Sequence, residues 1–448
     1  MLLDDLNFDT MNNRYNMKAI RLFFKIVVFL VIFMLLSLIV AFLMKDDANS
    51  YSRVLTHEFY QQKNIDIMFC GASHVSHGMD CRISDEEFGV NTFNTGTPSQ
   101  GINGTYAVIR QALKNYKISK IFLETDFAIT CREGSDHPSM GKSDFIVESF
   151  IRDPLIKMQF IIENSSADNI LNAILPIGKD KLITFSPSKN IKKLKSLITG
   201  EYFKYKYGTK DSGYAGKGCV LDYDVIENGT FSNDIYEMEF KPVSAYWKKY
   251  IELIVDMCRE YGVELVFYSM PGSDFYLHEK GDYDVFYKEI SSYFSTLGYE
   301  YYDFNLCKPL YSLEDCDYSD DNHLNANGVE KFSHIFCDLF TGKVSRDEMF
   351  WSSYKEKTDN QGPRIYGLLI IKAENGSSFE IIPMTNIDDL SCITYDVSIY
   401  DGKNTVVLGE NSQITKYDLP AGTFGKIMVR SYVDGKQHNS VKQNYASM

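Results

Sequence analysis

The sequence predicts an α/β fold, a three-layer sandwich around a five-stranded parallel sheet. One transmembrane helix precedes it and an all-β sandwich domain follows. Three observations carry this. Five short apolar runs, at 65–70, 90–94, 120–124, 263–270 and 300–304, alternate with helix-length segments, as buried parallel strands and their crossover helices do. An uncharged apolar run at 26–44 is broken only by Ser37. After about Gly342 the helical period disappears, and alternating runs are punctuated by turn signals such as Asp401-Gly402 and Asp434-Gly435.

The apolar run, IVVFLVIFMLLSLIVAFLM, has the length of a bilayer-crossing helix. Arg14, Lys18, Arg21 and Lys25 precede it, while Lys45-Asp46-Asp47 follow. That charge bias predicts a cytoplasmic N-terminus at 1–21, an anchor at 22–44 and an extracytoplasmic remainder. A cleaved signal peptide is the rival reading, but the run is long for one and no small-residue cleavage site follows it. No second stretch qualifies, so a single-pass protein is expected. Residues 45–63 read as a polar connector.

Composition narrows the function classes. The chain has 448 residues and a net charge of −14, which argues against a dedicated nucleic-acid binder. Its nine cysteines are scattered without a Cys-x-x-Cys pair, so zinc-ribbon and thioredoxin-like readings have no support.

The α/β domain is expected over 64–342. Helices are predicted at about 102–116, 245–261, 283–297 and 327–340. Ser73, Gly96, Asp126 and Pro271 each fall just after a strand, on the rim where parallel sheets bind ligands. The alternation is interrupted by an insertion at about 127–243. It opens with amphipathic stretches at 145–151 and 154–162 and then becomes loop-like. A long excursion from one strand end is commonly a lid or a substrate-binding element. Within it Lys189, Lys192, Lys193, Lys195, Lys204, Lys206 and Lys210 form a basic cluster. Contact with anionic lipid or polymer is one reading, a solvated helix face the other. Beyond it, 350–448 reads as a small antiparallel sandwich with strands at 364–373, 379–384, 392–400, 405–408, 413–417 and 426–433.

The chemistry centres on Gly71-Ala72-Ser73. A serine held at a strand-to-helix turn is well exposed for nucleophilic attack, and its own N–H can stabilise an oxyanion. A second strand end, Asn94-Thr95-Gly96, brings a glycine N–H toward the same oxygen. Far downstream, Asp320 and His323 are spaced so that a carboxylate reaches Nδ1 and leaves Nε2 for the serine. Asp321 is a competing orienting residue. His74, Asp126 and Asn322 are pocket candidates. His74 and His77, with Asp80, have metal-ligand chemistry but lack a strong third ligand nearby, so no cofactor or metal is expected. The acidic run at 315–320 lacks the glycine and glutamate of a calcium loop. Glu124 and Asp126 read as strand-end acids that cap a helix or shape the pocket, in preference to a glycosidase pair. The sequons at Asn103 and Asn228 are assigned no role.

Taken together, Gly71-Ala72-Ser73-His74, Asn94-Thr95-Gly96 and Asp320-x-x-His323-Leu324 resemble the SGNH/GDSL hydrolase superfamily over roughly residues 60–342. The resemblance implies a flavodoxin-like fold and a Ser73–His323–Asp320 triad, with oxyanion N–H groups from Ser73 and Gly96. Two departures stand out. The usual Gly-Asp-Ser is Gly-Ala-Ser, and the block that supplies an asparagine donor is replaced by Glu124-Thr125-Asp126-Phe127. The chain looks most like the membrane-anchored branch that moves acyl groups on cell-surface polymers, such as D-alanine-transfer proteins and polysaccharide O-acetyltransferases. That implies a serine esterase or O-acyltransferase acting on a cell-surface polysaccharide or teichoic-acid-like polymer, with a membrane-bound acyl donor protein as a further partner. A lapsed, polymer-binding scaffold is the alternative from a different class.

Overall fold

The computed structural model describes residues 4–48, 50–206, 213–225, 241–278, 282–374 and 376–446. Lys210 of the basic cluster and the Asn228 sequon lie outside the described residues.

Among the described residues, seven strands belong to the first part of the chain: β1 (Ile67–Cys70), β2 (Thr92–Asn94), β3 (Lys120–Glu124), β4 (Tyr214–Gly216), β5 (Cys219–Val220), β6 (Glu264–Ser269) and β7 (Tyr301–Asp303). Five of them form a sheet in the order β2-β1-β3-β6-β7, and every pairing in it is parallel. Successive side chains point to opposite faces, and both faces are covered. Met68, Cys70, Ile121, Leu123, Leu265 and Phe267 enter one core, shared with helices Ile102–Asn115 and Ala245–Tyr261. Phe69, Phe122 and Tyr268 enter a second, shared with Phe332 and Phe336 of helix Ala326–Phe340. Burial on both faces is why these strands read as continuous apolar runs.

The first helix runs from Asp4 to Met44, and its Ile20–Met44 portion is long and apolar enough to cross a membrane. Its large side chains point outward, with Phe29 65 % and Leu36 57 % exposed.

The described residues of the insertion hold more regular structure than its composition suggests. Helices Lys142–Phe150 and Pro154–Glu163 match the amphipathic stretches. Asp153 caps the second by accepting the Leu155 and Ile156 N–H groups, with Pro154 in the first turn. The stretch read as loop contains a further helix, Pro187–Ile198. It carries Lys189, Lys192, Lys193 and Lys195, for which a solvated helix face was one of the two readings. The β4–β5 hairpin then docks on the sheet edge, where the Asn94 N–H donates to the Lys217 carbonyl at 3.0 Å. Gly218 makes this possible. It has a φ of +88°, and a Cβ there would lie 1.8 Å from the Asn94 carbonyl oxygen.

The C-terminal part holds β8 (Ile365–Lys372), β9 (Ser378–Thr385), β10 (Ile393–Tyr400), β11 (Thr405–Ser412), β12 (Lys416–Asp418), β13 (Phe424–Val433) and β14 (Lys436–Ala446). They form two antiparallel sheets, β12-β9-β8 and β11-β10-β13-β14. Phe379 and Ile381 from one and Val397, Ile427 and Val429 from the other share a core. Strand β14 was not expected. It is polar, and at its C-terminal end only alternate residues, Val441, Gln443 and Tyr445, are buried. The sandwich meets the α/β domain at helix Asp274–His278, where Asp274 pairs with Lys357 at 3.0 Å and with Arg364 at 3.2 Å.

Candidate active site

Strand β1 ends at Cys70, and Ser73 opens a four-residue helix, Ser73–Ser76. The first N–H groups of such a turn have no intrahelical acceptor. Ser73 is half-buried, whereas His74, Val75 and Ser76 behind it are buried. The Ser76 hydroxyl donates to the Ser73 carbonyl at 3.0 Å and holds the turn from beneath.

The histidine arrives on a pinned loop. Asn325 caps helix Ala326–Phe340 through its Oδ1, which accepts the Asn327 and Gly328 N–H groups at 3.1 Å each. Its Nδ2 donates back to the Cys316 carbonyl at 2.7 Å. The Ser319 N–H donates to the His323 carbonyl at 2.8 Å, closing the loop on itself. Inside it, Asp320 Oδ1 accepts the N–H groups of Asn322 and His323 at 3.0 and 2.8 Å.

These two stretches meet. His323 Nε2 lies 2.9 Å from Ser73 Oγ, and His323 Nδ1 lies 2.8 Å from Asp320 Oδ2. With Nδ1–H donating to the carboxylate, Nε2 carries the lone pair that accepts the Ser73 hydroxyl. Partial burial of Asp320 opposes its ionisation. The His323 hydrogen bond and charge, together with the two backbone N–H donors, outweigh this and hold the carboxyl at about 2. The competing Asp321 is tied elsewhere by its backbone, whose carbonyl accepts the Ser273 hydroxyl at 2.6 Å.

Gly96 differs from expectation in one respect. It does lie against the nucleophile turn, since a Cβ there would be 2.5 Å from the Ala72 carbonyl oxygen. Its N–H, however, donates to Asn94 Oδ1 at 2.9 Å. The Asn94 Nδ2 in turn donates to the Val75 carbonyl at 2.6 Å. Gly96 therefore serves close approach between the two strand ends, while its N–H braces the Asn94 side chain in place of facing the serine.

Beside this chain lies a second, buried one. His74 Nδ1 is 3.2 Å from Asp126 Oδ2 and 3.7 Å from Glu124 Oε1. Asp126 also accepts the Tyr276 hydroxyl at 2.9 Å and the Ala128 N–H at 2.9 Å. Burial alone would lower the His74 pKa, but the two carboxylates outweigh it and hold the ring protonated well above its ordinary value. Burial pushes Glu124 up to about 7, against the pull of its His74 hydrogen bond and with the help of the Asp126 charge. The trio thus carries one cation and, below neutral pH, one anion. One ligand atom from each residue lies within 4.8 Å of the others. That is a spacing a divalent ion could use, and Glu124 Oε1, 3.7 Å from His74 Nδ1, is buried without a hydrogen-bond partner. His74, Asp126, Asn322 and Tyr276 line one small cavity of about 10 Å³, room for about one water.

His77 and Asp80 do not join that cluster. Burial and the neighbouring His323 lower the His77 pKa to about 4, and its ring centroid stands 5.1 Å from that of His323. Asp80 caps helix Cys81–Phe88 and pairs with Arg82. Sequence reasoning missed Tyr276, which reaches Asp126 across 150 residues. It also gave Glu124 too small a part. A buried acid at a strand end was the available signal for Glu124, and no spacing signals Tyr276.

Compared with known families and curated proteins, the chain matches no family model and no curated protein.

Proposed function

We propose that this protein is a membrane-anchored, extracytoplasmic serine esterase or O-acyltransferase of SGNH type that adds or removes ester-linked acyl groups on a cell-surface glycan or polymer. The observation that carries the reading is the hydrogen-bonded chain from Ser73 Oγ through His323 to Asp320, at 2.9 and 2.8 Å. Hydrogen-bond reach between nucleophile and base, and between base and orienting acid, is the arrangement acyl transfer needs.

In this mechanism Ser73 Oγ attacks the ester carbonyl as His323 Nε2 takes its proton. Asp320 steadies the imidazolium that forms, and the Ser73 N–H faces the oxyanion. His323 then gives the proton to the leaving alcohol, and the carbon–oxygen bond breaks to leave an acyl-serine. Water or an acceptor hydroxyl, deprotonated by His323, attacks the acyl-serine, and the proton returns to Ser73. Water gives hydrolysis and a sugar or polyol hydroxyl gives transfer. The long apolar N-terminal helix supports a position at a membrane, with the basic flank supporting a cytoplasmic N-terminus.

One observation favours a second reading, a lapsed module that binds polymer. The Gly96 N–H is engaged by Asn94, which leaves the oxyanion fewer donors. One experiment separates the two. A serine-reactive fluorophosphonate should label the wild-type chain and fail to label Ser73→Ala. A wild-type chain that resists the probe selects the binding reading.

A further inference from the structure

The insertion is fastened to the end of the long apolar helix. Lys193 is only 2 % exposed. It donates to the Phe42 carbonyl at 2.6 Å and the Lys45 carbonyl at 2.9 Å, and pairs with Asp47 at 2.7 Å. The last carbonyls of a helix have no partner of their own, and a cation there satisfies them. The Thr184 N–H adds a bond to the Met44 carbonyl at 2.9 Å, and the Asp46 N–H one to Leu182 at 2.8 Å. Helix Pro187–Ile198 is therefore held level with the last turn of the apolar helix. On it Ile191, Leu194 and Ile198 share one face at i, i+3 and i+7, and they are 54 %, 49 % and 77 % exposed. This stripe is separate from the buried Lys193 side, and Lys195 is exposed beside it. An exposed apolar stripe flanked by lysine is the pattern of a helix lying in a membrane interface.

Next to this junction is a cleft of about 350 Å³, lined among others by Lys45, Arg53, His57, Arg152, Tyr202 and Tyr205. The Arg53 guanidinium stands over the Tyr202 and Tyr205 rings at 4.1 and 4.6 Å. Arg152 stands over Tyr60 at 3.7 Å. Among the described residues no carboxylate lies within ion-pair distance of Lys45, Arg53 or Arg152. The nearest acid of the junction, Asp47, is taken by Lys193 and by the Tyr202 hydroxyl at 2.9 Å. The surplus of positive charge is felt by His57, whose pKa is lowered by burial and then by Arg152 and Arg53. Rings that fix guanidinium planes, without acids to neutralise them, suit a phosphate.

We propose that this cleft binds the phosphate of an anionic membrane lipid headgroup, while the Ile191–Leu194–Ile198 stripe rests in the same leaflet. The proposal rests on the reading of 20–44 as a membrane span. A lipid is favoured over free phosphate because the cleft opens where that span ends, lined by Phe42 of the span and by Lys45 just beyond it.

The test uses the purified full chain in mild detergent, titrated with phosphatidylglycerol, phosphatidylcholine or inorganic phosphate and read by native mass spectrometry. Phosphatidylglycerol should be retained about tenfold over phosphatidylcholine, as expected for a few basic residues at a headgroup. The double variant Lys45→Gln/Arg152→Gln should lose that preference, and Lys403→Gln in the sandwich should keep it. Unchanged fluorophosphonate labelling of the double variant would show that it folds. Equal retention of the two lipids overturns the proposal, as does a preference that survives the double variant. Displacement of the lipid by millimolar inorganic phosphate overturns the lipid source. The anchor is tested separately by an alkaline carbonate wash of reconstituted vesicles. A chain that stays in the vesicles without headgroup preference sinks the cleft alone, and a chain washed free sinks the membrane reading beneath it.

Discussion

Two histidine–carboxylate pairs flank the Ser73 turn, and their ring centroids are only 5.1 Å apart. In one, His323 and Asp320 sit on a surface loop, with side chains 22 % and 53 % exposed. In the other, His74 meets Asp126 and Glu124 with side chains no more than 9 % exposed. The chemistry of the residues is nearly the same, and their surroundings divide the work. The outer pair touches solvent and stands within hydrogen-bond reach of Ser73. The inner pair is locked into opposite charges that burial makes costly to separate. It braces the short helix that bears Ser73, because His74 is the residue after Ser73. Two adjacent pairs thus differ in burial, and the proposed function assigns proton transfer to the outer one and support to the inner one.

Breaking the outer pair at its end point should have the largest effect. Ser73→Ala is expected to abolish fluorophosphonate labelling while leaving the thermal unfolding midpoint unchanged. Asp320→Asn should keep the loop folded but favour the wrong imidazole tautomer, slowing labelling by about 10²- to 10⁴-fold. Stopped-time labelling of the two proteins measures this, and a rate within a few-fold of wild type would argue against Asp320 as the orienting group.

Breaking the inner pair should read out in stability. His74→Ala leaves two buried acids without their cation, and about 3–5 kcal/mol of unfolding free energy should be lost. Denaturant titration of the two proteins gives the difference. A loss of labelling without a loss of stability would move His74 from support to catalysis.

The smallest effect sharpens the comparison through pH. Glu124 has a folded pKa raised to about 7, so the folded state binds its proton more tightly than the unfolded state does. Its contribution is therefore fully present below the unfolded carboxyl range and declines as pH rises toward about 7. Glu124→Gln should flatten that decline. The outer acid has the opposite sign. Asp320 is depressed to about 2, so its contribution holds above the ordinary carboxyl range and is lost only as pH falls toward about 2. Unfolding midpoints measured from pH 2 to 8 test both directions.

Much of this was legible in the chain. The five parallel strands appear within a residue or two of their apolar runs, because strands buried on both faces must be apolar throughout. The Asp320–His323 spacing is short enough for local geometry to dictate, since a carboxylate three residues ahead can reach both the loop N–H groups and the ring. The helix Pro187–Ile198 was legible only as the solvated-face reading of the lysine cluster. Its lysines look like solvated charge until one of them, Lys193, is seen buried against the carbonyls of another helix. Strand β14 failed for a related reason, as its polarity is compensated by pairing along the whole of β13.

The sequence alone determined most of the elements, the apolar span and the candidate residues of the site, since periodicity, length and residue chemistry are local properties. The tertiary structure decided their roles. It brought Ser73 to His323 across 250 residues, turned the Gly96 N–H toward Asn94, and buried His74 between two acids while leaving His323 at the surface. Burial and hydrogen bonding set the charge and freedom of each group, and neither exists until distant parts of the chain pack together.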